Sequence, residues 1–238
     1  MFMLLIAEVG YSKSNEVEAV KESDKEAVVL IHGLARNKYA MWWLASELED
    51  AGYQVYRIGY QSLRKKPEEI LADVKQQIDD CCASYPQKVH FVGHSLGGLL
   101  ARAYLQDNQV NNLGNVVLIG SPSHGTELVD YYKDRSWASI AGPTTLSLGT
   151  DQGSFPCSLT KPDYPVGVIA GVSGDEDNDH ILPGKDDGMV TVESTKVEGM
   201  TDFREVKVSH AMMRYNDEVA KHTIAFLKTT KFANKEKD

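Results

Sequence analysis

One pentapeptide has the residue types and the spacing that nucleophilic catalysis requires. Residues 93–97 read G-H-S-L-G and directly follow the apolar run at residues 89–92. The pattern G-x-S-x-G between a strand and a helix is typical of a serine nucleophile on a tight strand-to-helix turn. Gly93 and Gly97 leave room for the strained backbone that Ser95 must adopt there. The sequence therefore predicts attack by the Ser95 hydroxyl at the carboxyl end of a strand, where open α/β sheets bind ligands.

The elements that must position Ser95 alternate between short apolar runs and longer amphipathic stretches. This alternation predicts a single α/β domain over residues 1–238, with a mostly parallel central sheet and helices on both faces. Strands are expected at residues 28–31, 54–58, 89–92, 116–119, 166–172 and 204–208. Helices are expected at residues 39–50, 67–84, 96–106 and 211–228. The apolar residues 1–7 are interpreted as a further strand.

The alternation stops between residues 121 and 165, and this segment is the candidate lid or cap insert. Loops longer than about 12–15 residues are uncommon unless they are functional or disordered. An apolar set in the insert would suit a lid over an acyl pocket, although packing of the same side chains against the body explains it equally well. The set is Trp137, Ile140, Leu146, Leu148 and Phe155. Trp42 and Trp43 are further candidates for the pocket wall.

Composition excludes several classes of protein. The chain has 238 residues, 25 Lys+Arg and 34 Asp+Glu, so its formal charge is 25 − 34 = −9. A nucleic-acid partner is not expected, because a phosphate-tracking surface needs clustered cations, and the one basic cluster, residues 64–66, is interpreted as a loop cap. No run approaches the roughly 20 apolar residues of a membrane-spanning helix. A bond between the adjacent cysteines Cys81 and Cys82 would be strained within a helix, so a reducing, cytoplasmic location is expected.

Four motifs resemble those of the α/β-hydrolase superfamily, in particular its bacterial lipases and esterases. They are VVLIHGL at residues 28–34, GHSLGG at residues 93–98, DGMV at residues 187–190, and Ser209-His210 before the last helix. The resemblance covers most of residues 28–232. It implies the α/β-hydrolase fold and a serine hydrolase that needs no cofactor.

A serine hydroxyl needs a base within hydrogen-bond reach and a carboxylate behind that base. In the superfamily the order is Ser, then acid, then His, which favours His210 as the base. Asp187 is the preferred acid because it begins the pattern D-x-x-V of the lipase acid, and its neighbour Asp186 is the rival. Of the other histidines, His94 and His32 are expected to be structural.

Two backbone amides are expected to stabilise the oxyanion that forms on the substrate. The amide of Leu96, which follows the nucleophile, is the first donor. By resemblance the second donor is the amide of Leu34 in the loop after the first hydrolase strand. The histidine in the loop at residues 121–125, His124, resembles a residue that supports the site in lipases.

These features predict cleavage of a small-molecule or lipid carboxylic ester through an acyl-enzyme on Ser95. A thioesterase or acyltransferase on the same fold is the nearest alternative, and a non-catalytic binding protein is a more distant one. The acidic run at residues 175–179 lacks the Gly that an EF-hand loop requires, since His180 stands at that position, so no metal is expected. The acyl chain, the alcohol and the oligomeric state are left open.

Overall fold

A parallel β-sheet forms the centre of the computed structural model, which describes residues 24–134, 141–173 and 180–234. The sheet has six strands in the order β2-β1-β3-β4-β5-β6, and every neighbouring pair is parallel. The strands are β1 (Ala27–Ile31), β2 (Gln54–Ile58), β3 (Val89–His94), β4 (Leu113–Ile119), β5 (Val166–Gly171) and β6 (Asp202–Val206). The predicted α/β architecture is thereby confirmed.

The described residues contain seven α-helices, six of them between strands and the last one after β6. They are α1 (Trp42–Asp50), α2 (Pro67–Cys82), α3 (Leu96–Asp107), α4 (Glu127–Tyr132), α5 (Pro143–Leu146), α6 (Val192–Thr195) and α7 (Asp217–Thr229). Short 3-10 turns occur at Lys38–Met41, Pro156–Ser158 and Met213–Tyr215. The expected insert therefore contains α4, α5 and one 3-10 turn.

Helices cover both faces of the sheet, because the strands alternate apolar side chains between two separate cores. Ile70 and Val74 of α2 pack on one face together with residues of α3. Leu44 of α1 and Phe226 of α7 pack on the opposite face. Strands β1, β3 and β5 are buried along their whole length, as central parallel strands must be. This rigid centre fixes the carboxyl ends of β3 and β4, where the candidate site lies.

The last helix begins later than the sequence predicts. Residues 211–216 were expected to be helical, but α7 starts at Asp217 after a 3-10 turn. The side chain of Asn216 accepts a hydrogen bond from the backbone N–H of Val219 and so caps the helix. Asp217 and Glu218 then place negative charge in the first turn, where the helix dipole favours it. The predicted strand at residues 1–7 lies outside the described residues.

The vicinal cysteines also differ from expectation. Cys81 and Cys82 lie at the end of α2, and their sulfurs are joined in a disulfide. The sequence analysis expected a helix to strain this bond, whereas the structure forms it in the last turn of α2, which ends at Cys82. Cys157 is a free, exposed cysteine.

The helices of the described residues were compared with the length and apolarity of a membrane-spanning helix. None of the helices within residues 24–134, 141–173 and 180–234 combines the length and the apolarity that crossing a bilayer requires.

Candidate active site

Ser95 lies on a sharp turn between β3 and α3. Its backbone has φ 56° and ψ −124°, a conformation that costs a non-glycine residue free energy. A hydrogen bond of 2.8 Å from the Ser95 N–H to the carbonyl of Ile119 holds the turn against β4. The neighbouring glycines are required by space, since a Cβ on Gly97 would lie 2.2 Å from the backbone oxygen of Ile31. The turn thus exposes the Ser95 hydroxyl above the end of the sheet.

The structure brings together the three side chains singled out from the sequence. Nε2 of His210 lies 2.9 Å from Oγ of Ser95, and Nδ1 of His210 lies 2.7 Å from Oδ2 of Asp187. A carboxylate can only accept, so Nδ1 holds the proton and Nε2 is free to accept from the serine hydroxyl. This is the geometry in which an imidazole can remove the proton of a serine nucleophile.

The carboxylate that contacts His210 belongs to Asp187 and not to Asp186. The Asp187 side chain is fully buried, and its Oδ1 accepts hydrogen bonds from the N–H groups of Met189 (3.0 Å) and Val190 (2.8 Å). These bonds orient Oδ2 towards the imidazole. Asp186 instead accepts from the N–H of Gly188 and bridges to Thr191.

His94 fixes the backbone of His210. Nε2 of His94 lies 2.9 Å from the carbonyl oxygen of His210, and the two rings are 4.9 Å apart. Since a carbonyl only accepts, Nε2 must donate. Burial holds the pKa of His94 well below its usual value, and nearby cationic side chains add to this shift. His94 is therefore a neutral donor that positions the candidate base.

The loop after β1 approaches the nucleophile closely. A Cβ on Gly33 would lie 3.0 Å from Cβ of Ser95, so this loop passes directly beside the serine. The His32 ring stacks on Tyr60 at 4.1 Å and its Nδ1 lies 2.8 Å from the Gly33 carbonyl. The Ala35 N–H donates to Oγ of Ser62 over 2.8 Å, so it is not available to a substrate.

The two amides expected to form the oxyanion hole are available. Leu96 is the first residue of α3, so its N–H has no intrahelical acceptor. Within the described part of the chain, neither this N–H nor that of Leu34 donates to a protein acceptor. Leu34 also lines the cavity above Ser95.

A cavity of about 580 Å³ opens above Ser95 and His210. Its size lies within the range of small-molecule sites. Much of its lining is an apolar wall, and most of the residues of this wall come from the insert. The wall includes Leu128, Val129, Leu146, Leu148, Met189 and Val190.

Several sequence candidates do not contribute to this cavity. Trp42 is 56% exposed and contacts Tyr215, whereas Trp43 packs on the core. Phe155 packs against the other core cluster, and the exposed His124 is not a lining residue. Trp137, Ile140 and the acidic run at residues 175–179 lie outside the described residues. Among the residues that are described, no group of three acidic, His or Cys side chains could hold a metal ion.

Two cavity residues could not be identified from the sequence. Arg36 follows the β1 loop and Arg214 lies in the 3-10 turn before α7, and both line the cavity beside Ser95. Neither belongs to a motif, and they are far apart along the chain. Only the fold brings them together.

Comparison with known proteins identifies a family and several similar proteins. Residues 27–154, more than half of the chain, match the family described as palmitoyl protein thioesterase. The sequence is 35% identical over 119 residues to a triacylglycerol lipase of Pseudarthrobacter phenanthrenivorans. This match covers 45% of this chain and 36% of that protein. It is 29% identical over 141 residues to a pimeloyl-acyl-carrier-protein methyl ester esterase of Aliivibrio fischeri, covering 58% of this chain and 51% of that protein.

The matched region therefore spans only about a third to a half of the length of these two relatives. Among solved structures, the mature lipase BlEst2 of Bacillus licheniformis superposes with a TM-score of 0.73 at 20% identity. The superposition covers 92% of this chain and 96% of that one. At this level of identity the likeness establishes the α/β-hydrolase fold.

Proposed function

The chain belongs to the palmitoyl protein thioesterase family, and from this premise we propose that it is a serine hydrolase that cleaves carboxylic esters. The observation that supports this function best is the hydrogen-bonded series from Ser95 Oγ through the His210 ring to Asp187. Every group that the reaction needs belongs to the protein, so no cofactor takes part in the proposed route.

The reaction proceeds in two halves. Nε2 of His210 accepts the proton of the Ser95 hydroxyl while Oγ bonds to the ester carbonyl carbon. Asp187 stabilises the imidazolium, which then gives the proton to the leaving alcohol as the carbon–oxygen bond breaks. Water gives a proton to His210 as its oxygen bonds to the acyl carbon. The imidazolium then returns that proton to Oγ as the carbon–Oγ bond breaks, which releases the carboxylic acid and restores the Ser95 hydroxyl.

The amides of Leu34 and Leu96 form the proposed oxyanion hole. Both N–H groups are preorganised by the backbone, Leu34 in the loop beside Ser95 and Leu96 at the start of α3. One such donor is worth roughly 3–4 kcal/mol of transition-state stabilisation. The N terminus of α3 adds a favourable dipole for the developing negative charge.

The apolar wall of the cavity is the proposed acyl site. Because each buried CH₂ contributes about 0.8 kcal/mol, Leu128, Leu146 and Leu148 favour an acyl chain over a polar group there. These residues come from the insert at residues 121–165, which we assign as a cap within the single hydrolase domain. The relatives described as triacylglycerol lipase and methyl ester esterase support an ester substrate.

Thioester hydrolysis is the second candidate, and the description of the family favours it. The same nucleophile, base and oxyanion donors serve a thioester, since only the leaving atom changes from oxygen to sulfur. Comparing kcat/KM for an oxygen ester and a thioester with the same acyl chain and leaving-group size distinguishes the two candidates. A higher value for the thioester would make thioester hydrolysis the principal activity.

The proposed function predicts that Ser95→Ala abolishes hydrolysis of p-nitrophenyl esters. Loss of the nucleophile should lower kcat by at least about 10⁴-fold, because only binding and the oxyanion donors remain. Ser84→Ala, at an exposed serine, is the matched control and should retain wild-type turnover. Wild-type turnover by a folded Ser95→Ala protein would refute the proposal.

A further inference from the structure

A second groove continues the candidate active-site cavity on the side of the β1 loop. It is an open groove of about 670 Å³, and it shares Ala35, Arg36 and Arg214 with the cavity above Ser95. Arg64, from the basic cluster at residues 64–66, lines its far side. We call this feature the arginine groove.

The arginine groove concentrates positive charge without compensation. None of Arg36, Arg64 and Arg214 forms an ion pair with any carboxylate that the structure describes, and no described Asp or Glu lines the groove or the cavity. The chain as a whole has a net charge of −9, so the groove is a local concentration of positive charge on an acidic protein. Two lysines near these cavities are paired, Lys65 with Asp73 beside the groove and the cavity residue Lys133 with Asp130.

Two of the guanidinium groups, those of Arg214 and Arg36, contact neighbouring groups of the protein. Arg214 is half-buried, stacks on the Tyr215 ring at 4.8 Å, and has a buried Nε without a hydrogen-bond partner among the described residues. Nη1 of Arg36 donates to the Ala35 carbonyl over 3.1 Å. Arg36 and Arg214 line the same cavity as Ser95 and His210.

Ser95 lines the cavity that contains the apolar wall and that meets the arginine groove at Arg36 and Arg214, and this arrangement assigns the two halves of a substrate. The acyl chain occupies the apolar wall, and the leaving group then points away from it into the groove. Arginine binds phosphate through paired, charge-assisted hydrogen bonds, which makes a phosphate the group best suited to several unpaired guanidiniums.

We infer that the substrate is an acyl ester or thioester whose leaving group carries a phosphate, bound by Arg36, Arg64 and Arg214. This inference rests on the proposed function, because it extends the same site. The phosphate could belong to a glycerol phosphate, released as an alcohol, or to a phosphopantetheine, released as a thiol. In both cases His210 protonates the leaving atom, and the phosphate itself takes no part in bond breaking.

Two matched substrate pairs test the inference on the full chain. The ester pair is monodecanoylglycerol and decanoylglycerol phosphate, and the thioester pair is S-decanoyl-N-acetylcysteamine and decanoyl-coenzyme A. In at least one pair we expect kcat/KM to be about tenfold or more higher for the phosphate-bearing member, as a charge-assisted contact would give. The pair that shows the preference identifies the source of the phosphate. No preference in either pair would overturn the inference.

Variants and salt provide independent readouts. In Arg36→Gln/Arg214→Gln the ratio of kcat/KM between the phosphate-bearing and neutral members should fall by about tenfold. Arg214→Lys should keep part of the preference, and the charge-matched control Lys161→Gln should keep all of it. Added NaCl should raise KM for the phosphate-bearing member only, since salt screens exposed charges.

The two hypotheses fail in different ways. Turnover of the neutral esters with an unchanged ratio in the arginine variants would refute the groove assignment and leave the proposed function intact. Absence of Ser95-dependent turnover for all four substrates would refute the proposed function itself.

Discussion

The Asp187 carboxylate determines which nitrogen of His210 faces the serine. Because Oδ2 accepts from Nδ1 over 2.7 Å, the unprotonated Nε2 is directed at Ser95 Oγ. Two backbone N–H groups hold the other carboxylate oxygen, so the acid cannot rotate away without losing three hydrogen bonds. The base is therefore fixed in tautomer and in direction by a single buried side chain.

At this scale the structure places against His210 the acid that the sequence preferred, Asp187, and not its rival Asp186. Asp187→Asn should lower kcat by about 10⁴-fold, because an amide no longer favours the required tautomer. Asp186→Asn is the matched control and should change kcat by less than about tenfold, since it binds the backbone of Gly188 and not the imidazole. Steady-state kinetics on one p-nitrophenyl ester measures kcat for both variants. A larger loss in Asp186→Asn than in Asp187→Asn would identify Asp186 as the carboxylate that orients His210.

His94 provides a second prediction for a single residue. His94→Leu removes the hydrogen bond to the His210 carbonyl and should lower kcat by about tenfold with little change in KM, because the base is displaced rather than the substrate. His94→Gln can still donate and should recover part of kcat. Equal kinetics for the leucine and glutamine variants would exclude a positioning role.

At the scale of elements, the turn between β3 and α3 determines where Ser95 is held. The helix begins at once after the nucleophile, and it packs so closely that Gly97 meets the backbone of β1. The sequence was sufficient to predict this turn, because the glycine spacing and the preceding apolar strand both follow from local geometry. It was not sufficient to predict the start of α7. The apolar residues before Asp217 suggested a longer helix, but Asn216 caps the helix and so begins it later.

The close packing of this turn predicts the cost of adding one methyl group. Gly97→Ala should lower the free energy of unfolding by about 1–3 kcal/mol, because the new Cβ would meet backbone that cannot move freely. Gly153→Ala is the matched control, since its Cβ would meet nothing closer than 3.4 Å. Urea unfolding measures both variants. A Gly97→Ala protein as stable as the control would show that α3 does not pack as described.

For the whole molecule, the fold brings together residues whose relationship is invisible in the sequence. Arg36 lies after β1 and Arg214 near the last helix, yet both border the same cavity. The order of Ser95, Asp187 and His210 along the chain follows from the superfamily resemblance. A parallel sheet then brings the loops after its strands to one edge, so the three residues were expected to meet there. The arginine pair could not, since nothing in local spacing or periodicity encodes which loops meet across that edge.

Buried histidines predict how the stability of the whole chain depends on pH. Burial lowers the pKa of His32, His90, His94 and His222 in the folded state. Below the unfolded value of about 6.5 the unfolded chain therefore binds more protons than the folded chain, so the stability present above that pH is lost as the pH falls. The urea concentration at the unfolding midpoint should therefore decrease as the pH is lowered from about 7.5 to about 5.5. A constant midpoint over this range would show that these histidines are not buried as neutral groups.

The most direct test of the central claim is covalent labelling of the folded wild-type protein with a fluorophosphonate, followed by peptide mass spectrometry. The Ser95 hydroxyl should gain one phosphonyl group. In the His210→Ala variant the label should form far more slowly, because no base removes the proton of the Ser95 hydroxyl. Rapid labelling at Ser95 that depends on His210 is the predicted result. No adduct, or an adduct on another serine, would contradict the account.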